Sequence, residues 1–376
     1  MAHIAIFCDG TWNSAQTGDE THILRLARAC AQSPEQRIIY VAGVGTGQGM
    51  ISDAGRWLSK VGGGLFGWGL NRNIKSAYLS LCRGYKPGDK ILIFGFSRGA
   101  YTARSLAGLI RKSGILADPT QVNLTRAFKL YRKRGPRNSP DMPHIRDARR
   151  ALSPDFATSQ SDVLWRQDHS SLVRIAYLGV WDTVGALGLP KSILGPLADW
   201  WNARYRFHDT ALSHLVEAAR HAVALDERRA LYPPTLWHNL DDAADKQGLN
   251  KGDRSDQRPY QQVWFAGNHG VVGGTGMAQS LSAAPLQWIW SGAAQTGLRL
   301  RVGAKFPHVA PDALQPAPQL GRLQRVYRLV PWLLRWRDGP SEPWQLHITA
   351  RLRTATLPDY RPRSLERVLP ELFDTR

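Results

Sequence analysis

Gly95-Phe96-Ser97-Arg98-Gly99 constrains this chain more than any other stretch. Before it, Ile91-Leu92-Ile93-Phe94 is an apolar run of strand length; after it, Ala100, Ala103, Leu106, Ala107 and Ile110 recur at helical spacing. Strand, tight turn and helix with Ser97 at the apex make a G-x-S-x-G nucleophile-elbow pattern. Glycine is needed on both sides because strand and helix approach too closely there for a side chain. The turn lifts a hydroxyl to the carboxyl edge of a sheet beside a helix N-terminus. There the backbone N–H of Arg98 can face a developing oxyanion. The plainer alternative is a strand-to-helix turn with an ordinary serine.

Other strands deliver polar residues to the same kind of position. Ile4 to Phe7 is a short apolar strand ending in Cys8-Asp9-Gly10-Thr11-Trp12-Asn13, so a Gly10 or Thr11 N–H is the candidate second oxyanion donor. A helix N-cap by Thr11 or Asn13 is compatible with that. Leu172 to Trp181 is a near-continuous apolar run, as in a buried parallel strand, and Asp182 follows it directly. Asp182 is either a helix cap or the orienting acid of a Ser…Asp…His order. Gln261 to Ala266 is a last strand, followed by Gly267-Asn268-His269. His269 lies after a strand and after both other candidates, as a general base in this order requires. Asp226 and Asp9 are the reserve acids.

Between these points, His22 to Ala31, Asn73 to Leu81, Thr125 to Arg134, Leu212 to Ala224 and Pro285 to Gln295 read as helices, and Arg37 to Val41 as a strand. Residues 43–49 and 62–67 are glycine-rich, but the first lacks a P-loop's Lys-Ser/Thr pair and the second opens no clean βαβ unit. Both are expected as flexible loops rather than nucleotide sites. Residues 135–167 are polar and proline-rich and are expected as a cap-like insertion over the sheet. Beyond residue 300 the chain turns basic and Trp-rich. Val326 to Arg337 mixes Trp, Leu and Arg as interfacial segments do, or as an edge helix with snorkelling arginines does. Leu346 to Leu352 either adds a strand or packs on the insertion.

Three cysteines without metal-ligand spacing point to reduced thiols and no structural zinc, and acyl transfer by Ser97, His269 and Asp182 needs no metal or organic cofactor. No secretory signal begins the sequence and no apolar run reaches 18 residues, so synthesis as a cytoplasmic protein is expected, with export by a signal-less route open. A formal charge of +19 favours anionic surfaces, whether nucleic acid, acidic lipid headgroups or an acidic partner, although arginine enrichment alone would also produce it.

Five separated motifs occur in one order: Cys8-Asp9-Gly10-Thr11-Trp12-Asn13, Gly95 to Tyr101, Gly179-Val180-Trp181-Asp182-Thr183-Val184-Gly185, His221 to Glu227, and Trp264 to His269. Over roughly residues 1–300 the chain resembles the bacterial and fungal α/β-hydrolase family carrying the domain of unknown function 2235, and within it the family 1 lipase effectors of type VI secretion. The resemblance implies a serine hydrolase acting on ester bonds, with phospholipids as substrates for the secreted members; a secretion-system or immunity protein is a candidate partner. One motif departs: the family's His-Ser-Asp-Val-Gly-Gly is His269-Gly270-Val271-Val272-Gly273-Gly274 here. If that aspartate supports the histidine in relatives, this chain relies on Asp182 alone.

The expectation is therefore an α/β-hydrolase-like, mostly parallel sheet with helices on both faces and insertions, a catalytic domain over 1–300 and an extension over 301–376 packed on it. Ser97, Asp182 and His269 are the catalytic candidates, with Arg98, Gly10 and Thr11 around the oxyanion. A weakened hydrolase scaffold, or a basic module binding nucleic acid or another partner, is the alternative; neither explains the order and strand-end placement of the three, and nucleic acid is the least favoured partner.

Overall fold

The computed structural model describes residues 1–10, 20–43, 63–167, 171–185, 211–230, 232–241, 248–275, 278–313 and 334–373. Its centre is a six-stranded sheet of β1 (His3–Cys8), β2 (Gln36–Val41), β3 (Lys90–Phe96), β6 (Arg174–Trp181), β7 (Ala219–Ala224) and β8 (Tyr260–Phe265), in the order β2-β1-β3-β6-β7-β8. Every pairing in it is parallel. The chain passes from β1 outward to β2, then crosses back to β3 and proceeds the other way. Such a reversal opens a crevice at the carboxyl edge, where doubly wound sheets bind ligands.

Strand periodicity sorts the core into two layers. Ile4, Ile6, Ile91 and Ile93 face one side, with α2 (Gly63–Cys82), α3 (Arg98–Ser113) and α4 (Gln121–Tyr131). Ala5, Phe7, Leu92 and Phe94 face the other, with α1 (His22–Ala29) and α8 (Gln279–Gln295). The rings of Phe7 and Phe94 stack at 4.8 Å across the β1–β3 pair. Cys8, Cys30 and Cys82 are buried free thiols, each pushed up to about 12 by burial.

The glycines of the Ser97 turn are dictated by contact. A Cβ on Gly95 would lie 2.5 Å from the Ala100 Cα, and one on Gly99 would lie 2.1 Å from the Cys8 carbonyl oxygen. Both obstacles are backbone of the strand–helix layer, so neither can swing aside. Gly99→Ala is therefore expected to cost at least about 3 kcal/mol, the upper end for overpacking. Thermal or urea unfolding checks it; wild-type stability would mean that α3 can lift from the sheet.

Three expectations require correction. Residues 212–224 do not form a helix: Ala219–Ala224 is the buried strand β7, and 211–218 are irregular. Ala-Arg-His-Ala-Val-Ala carries no decisive period, and pairing with two neighbours overrides alanine's helix preference. Gly63 to Gly67 open α2 instead of forming a loop; residues 44–62 lie outside the described part. The 135–167 segment does not cover the carboxyl edge. It holds α5 (Pro143–Leu152), β4 (Phe156–Ala157) and α6 (Gln160–Arg166), with β4 paired to β5 (Ser171–Leu172). It binds the far end of α3, through Arg111 to Thr158 at 3.1 Å, and the segment after it, through Ile115 to Ser153 at 3.0 Å. One α3 length, about 22 Å, separates it from Ser97. Internally it closes on a buried Asp162, bonded by Arg149 at 3.0 Å and Arg166 at 3.3 Å.

The carboxyl-terminal residues pack along the β8 edge. Leu346 bridges to Trp264, and Leu346, Ala350 of α9 (Ile348–Thr356) and Leu365 share an apolar cluster with Val223, Trp264 and Val271. Leu346 to Leu352 thus supplies a helix against β8, reached through a single bridge. Most of the Trp/Leu/Arg segment, including Trp332, lies outside the described residues; Trp336 sits under the Arg228 guanidinium at 5.0 Å.

Candidate active site

Ser97 follows β3 directly, its N–H bonded to the Trp181 carbonyl of β6 at 3.0 Å. Its backbone is at φ 57° and ψ −120°, a conformation that non-glycine residues avoid. Asp182 follows β6 and also has positive φ, 37°. His269 is the first residue of the short helix α7 (His269–Gly273), whose N-cap Asn268 accepts the Val271 N–H at 3.1 Å. Three strand ends thus converge on one spot of the carboxyl edge.

There the side chains form one chain of hydrogen bonds. His269 Nε2 lies 2.8 Å from Ser97 Oγ, and His269 Nδ1 lies 2.6 Å from Asp182 Oδ2. An ionised carboxylate only accepts, so Nδ1 carries the proton and Nε2 accepts from the serine hydroxyl. Ser97 remains 7% exposed, whereas Asp182 is fully enclosed. The rings of Phe96 and Tyr232 flank the imidazole at 4.8 and 5.1 Å. Gly273 admits Phe96 to that position, since a Cβ on it would overlap the Phe96 ring at 2.0 Å.

Asp182 is held from every side. Oδ1 accepts from Ala224 N–H at 2.9 Å. The Arg337 fork donates Nη1 to Oδ1 at 2.6 Å and Nη2 to Oδ2 at 2.9 Å. Burial alone would push this carboxyl up, but Arg337 and His269 hold it well below the usual carboxylate range. The next residue is fixed too: Thr183 N–H donates to His221 Nε2 at 3.1 Å, and His221 Nδ1 contacts Gln262 Oε1 at 3.0 Å. Burial, reinforced by Arg104, pushes His221 down to about 3, which keeps it a neutral acceptor. His269 N–H donates to Glu227 at 3.2 Å, and Glu227 pairs with Arg229 at 2.7 Å.

The remaining candidates are placed as follows. Arg98 opens α3, and burial pushes its guanidinium down to about 10. The Gly10 N–H is already bonded, to Asp9 Oδ1 at 2.7 Å, and Thr11 lies outside the described residues. Asp9 also accepts from Tyr40 OH at 2.6 Å and Thr21 Oγ1 at 2.9 Å. Asp226, pushed up to about 6 by burial, accepts from Gly267 N–H at 2.6 Å and Tyr360 OH at 2.8 Å. The structure therefore brings Asp182 to His269 and employs both reserve acids in holding loops. At the departing motif, Gly270 lies beside Thr275, and Val271 fills the apolar cluster against β8.

Arg337 and His221 escape sequence reasoning. His221 stands within a quoted motif, but nothing local tells its role. Arg337 lies in a segment read for its Trp and Leu content, 155 residues from its partner. Among the described residues no group of three or more His, Cys, Asp or Glu side chains is placed to hold a metal ion, and no helix is long and apolar enough to cross a membrane.

Comparison with known proteins gives the family of the chain. A family model described as "T6SS, Phospholipase effector Tle1-like, catalytic domain" matches residues 2–292. The Saccharomyces cerevisiae protein "Uncharacterized protein YEL023C" is 31% identical over 238 residues, which is 61% of this chain and 32% of the yeast protein. Among solved structures, an uncharacterized protein from Pseudomonas aeruginosa aligns with TM-score 0.43 and 17% identity, over 83% of this chain and 49% of its own. The Tle1 effector bound to the VgrG spike from the type 6 secretion system aligns with TM-score 0.36 and 16% identity, over 74% and 51%. The chain thus spans about a third of the curated relative and about half of each solved one. With the family model covering most of its length, this chain belongs to the Tle1-like phospholipase effector catalytic domains of type VI secretion.

Proposed function

We propose that this chain is a serine hydrolase that cleaves carboxylic ester bonds of membrane phospholipids, in the manner of a phospholipase A. The observation that carries the proposal is the unbroken Ser97–His269–Asp182 chain, with contacts of 2.8 and 2.6 Å, at the carboxyl edge of the sheet. Ser97 Oγ attacks the ester carbonyl as its proton passes to His269 Nε2. The tetrahedral oxyanion faces the amino end of α3, where the Arg98 N–H is the proposed donor. His269 returns the proton to the leaving alcohol, and the acyl group stays on Ser97. Water, losing its proton to the same imidazole, then releases the fatty acid. Asp182 keeps the imidazole in the reactive tautomer and offsets its positive charge during both steps.

Family membership and the +19 charge support lipid as the substrate class, since a cationic enzyme gathers at anionic bilayers. Family membership likewise supports delivery by a secretion system, with a component of that system and an immunity protein as partners.

The test is labelling with a fluorophosphonate probe, located by mass spectrometry, followed by release of fatty acid from phospholipid vesicles. The probe should modify Ser97 in the wild type and leave His269→Ala unmodified, and vesicles should yield lysophospholipid. A folded wild type that neither labels nor releases fatty acid would end the proposal.

A further inference from the structure

Arg337 stands beyond residue 292, where the family model stops, yet it touches the centre of the site. Its two terminal nitrogens reach four acceptors: both oxygens of Asp182, the Ala224 carbonyl at 2.9 Å and the Tyr232 carbonyl at 2.7 Å. It therefore ties the ends of β6 and β7 to the segment that carries Tyr232 over the imidazole. Its own segment is seated by a Leu334–Arg229 bridge and by the Arg335 N–H on the Arg228 carbonyl at 2.7 Å.

An acid that serves an imidazole base normally gives its whole charge to it and favours the protonated ring. Here a guanidinium fork shares that charge. The other charged or titratable groups around the pair do not replace it. Glu227, behind the His269 N–H, is matched by Arg229. His221, behind Thr183, is neutral. Tyr232 covers the ring, and the buried Arg98 guanidinium has Tyr232 as its titratable neighbour.

We propose that Arg337 is a positioning residue of this centre. Its fork holds the Asp182 carboxylate on His269 Nδ1 and, by sharing the carboxylate's charge, keeps the imidazole available as a base in more acidic medium. The proposal rests on the hydrolase reading above. It makes the segment after residue 334 a working part of the site rather than an appendage.

The experiment is the pH dependence of fluorophosphonate labelling at Ser97, with thermal unfolding run alongside, for wild type, Arg337→Met and Arg337→Lys. In Arg337→Met the acid limb should move up by about one pH unit, so labelling on the acid side slows about tenfold. Arg337→Lys keeps the charge but loses the fork, so its acid limb should stay with wild type while its plateau rate falls roughly tenfold. A folded Arg337→Met with an unmoved limb would overturn the proposal. If Arg337→Met does not fold, Arg337→Lys decides: a limb in the wild-type position with a lowered plateau supports the proposal, and a displaced limb or a wild-type plateau overturns it. A wild type that never labels removes the hydrolase reading itself, a result distinguishable from either.

Discussion

Ser97→Ala should lower ester hydrolysis by roughly a million-fold, the scale seen when a triad nucleophile is removed, while the protein folds normally. The hydroxyl is the single group lost, and its partner His269 keeps Asp182, Phe96 and Tyr232 around it. Ser97→Gly should be equally inactive but more stable. The wild-type residue is held at φ 57°, where a Cβ is strained and glycine is not. Such strain costs on the order of 1–3 kcal/mol, so a gain of about 1 kcal/mol is expected after glycine's own entropic penalty. Steady-state hydrolysis of a short soluble ester and thermal unfolding read the two effects. Residual turnover near wild type in Ser97→Ala would place the nucleophile elsewhere. A Ser97→Gly less stable than wild type would mean that the turn carries no strain.

Asp182→Asn should damage both rate and stability. Loss of the charge lets the imidazole present the wrong tautomer to Ser97, an effect worth roughly 10⁴-fold in rate. It also leaves the buried Arg337 guanidinium without its anion, and breaking one side of a buried pair costs about 3–5 kcal/mol. The same pairing sets the wild type's response to acid. The folded-state pKa of Asp182 lies below its unfolded value, about 3.9 for aspartate, so the unfolded chain takes up a proton that the native one refuses. Stability from this group is present above about pH 4 and is lost as pH falls below it towards the depressed folded value. Asp182→Asn should lack that part of the decline while starting from a lower midpoint at neutral pH. Thermal unfolding of both proteins from neutral to strongly acidic pH measures the difference. Equal midpoints at neutral pH would show that Arg337 finds another counter-charge.

The local sequence carried the parts of this protein that depend on short-range sterics and periodicity. Gly95 and Gly99 announce a turn in which strand and helix backbones nearly touch, and the contacts at 2.5 and 2.1 Å are the cause. Asp182 and His269 were legible as polar residues at the ends of apolar strands, because a parallel sheet brings its carboxyl ends to one edge. What tertiary structure decided is everything set by a partner distant along the chain. Ala219–Ala224 is a strand because β6 and β8 flank it, although its alanines favour a helix. The 135–167 segment lies at the far end of α3 because Arg111 and Ile115 hold it there, and its composition has no say in the matter. Asp9 and Asp226 bind loops instead of His269, and Asp182 keeps its charge through Arg337 and His269. Periodicity and glycine spacing are written within a few residues, whereas the pairing of buried charges is written nowhere until folding removes water and brings the two side chains together.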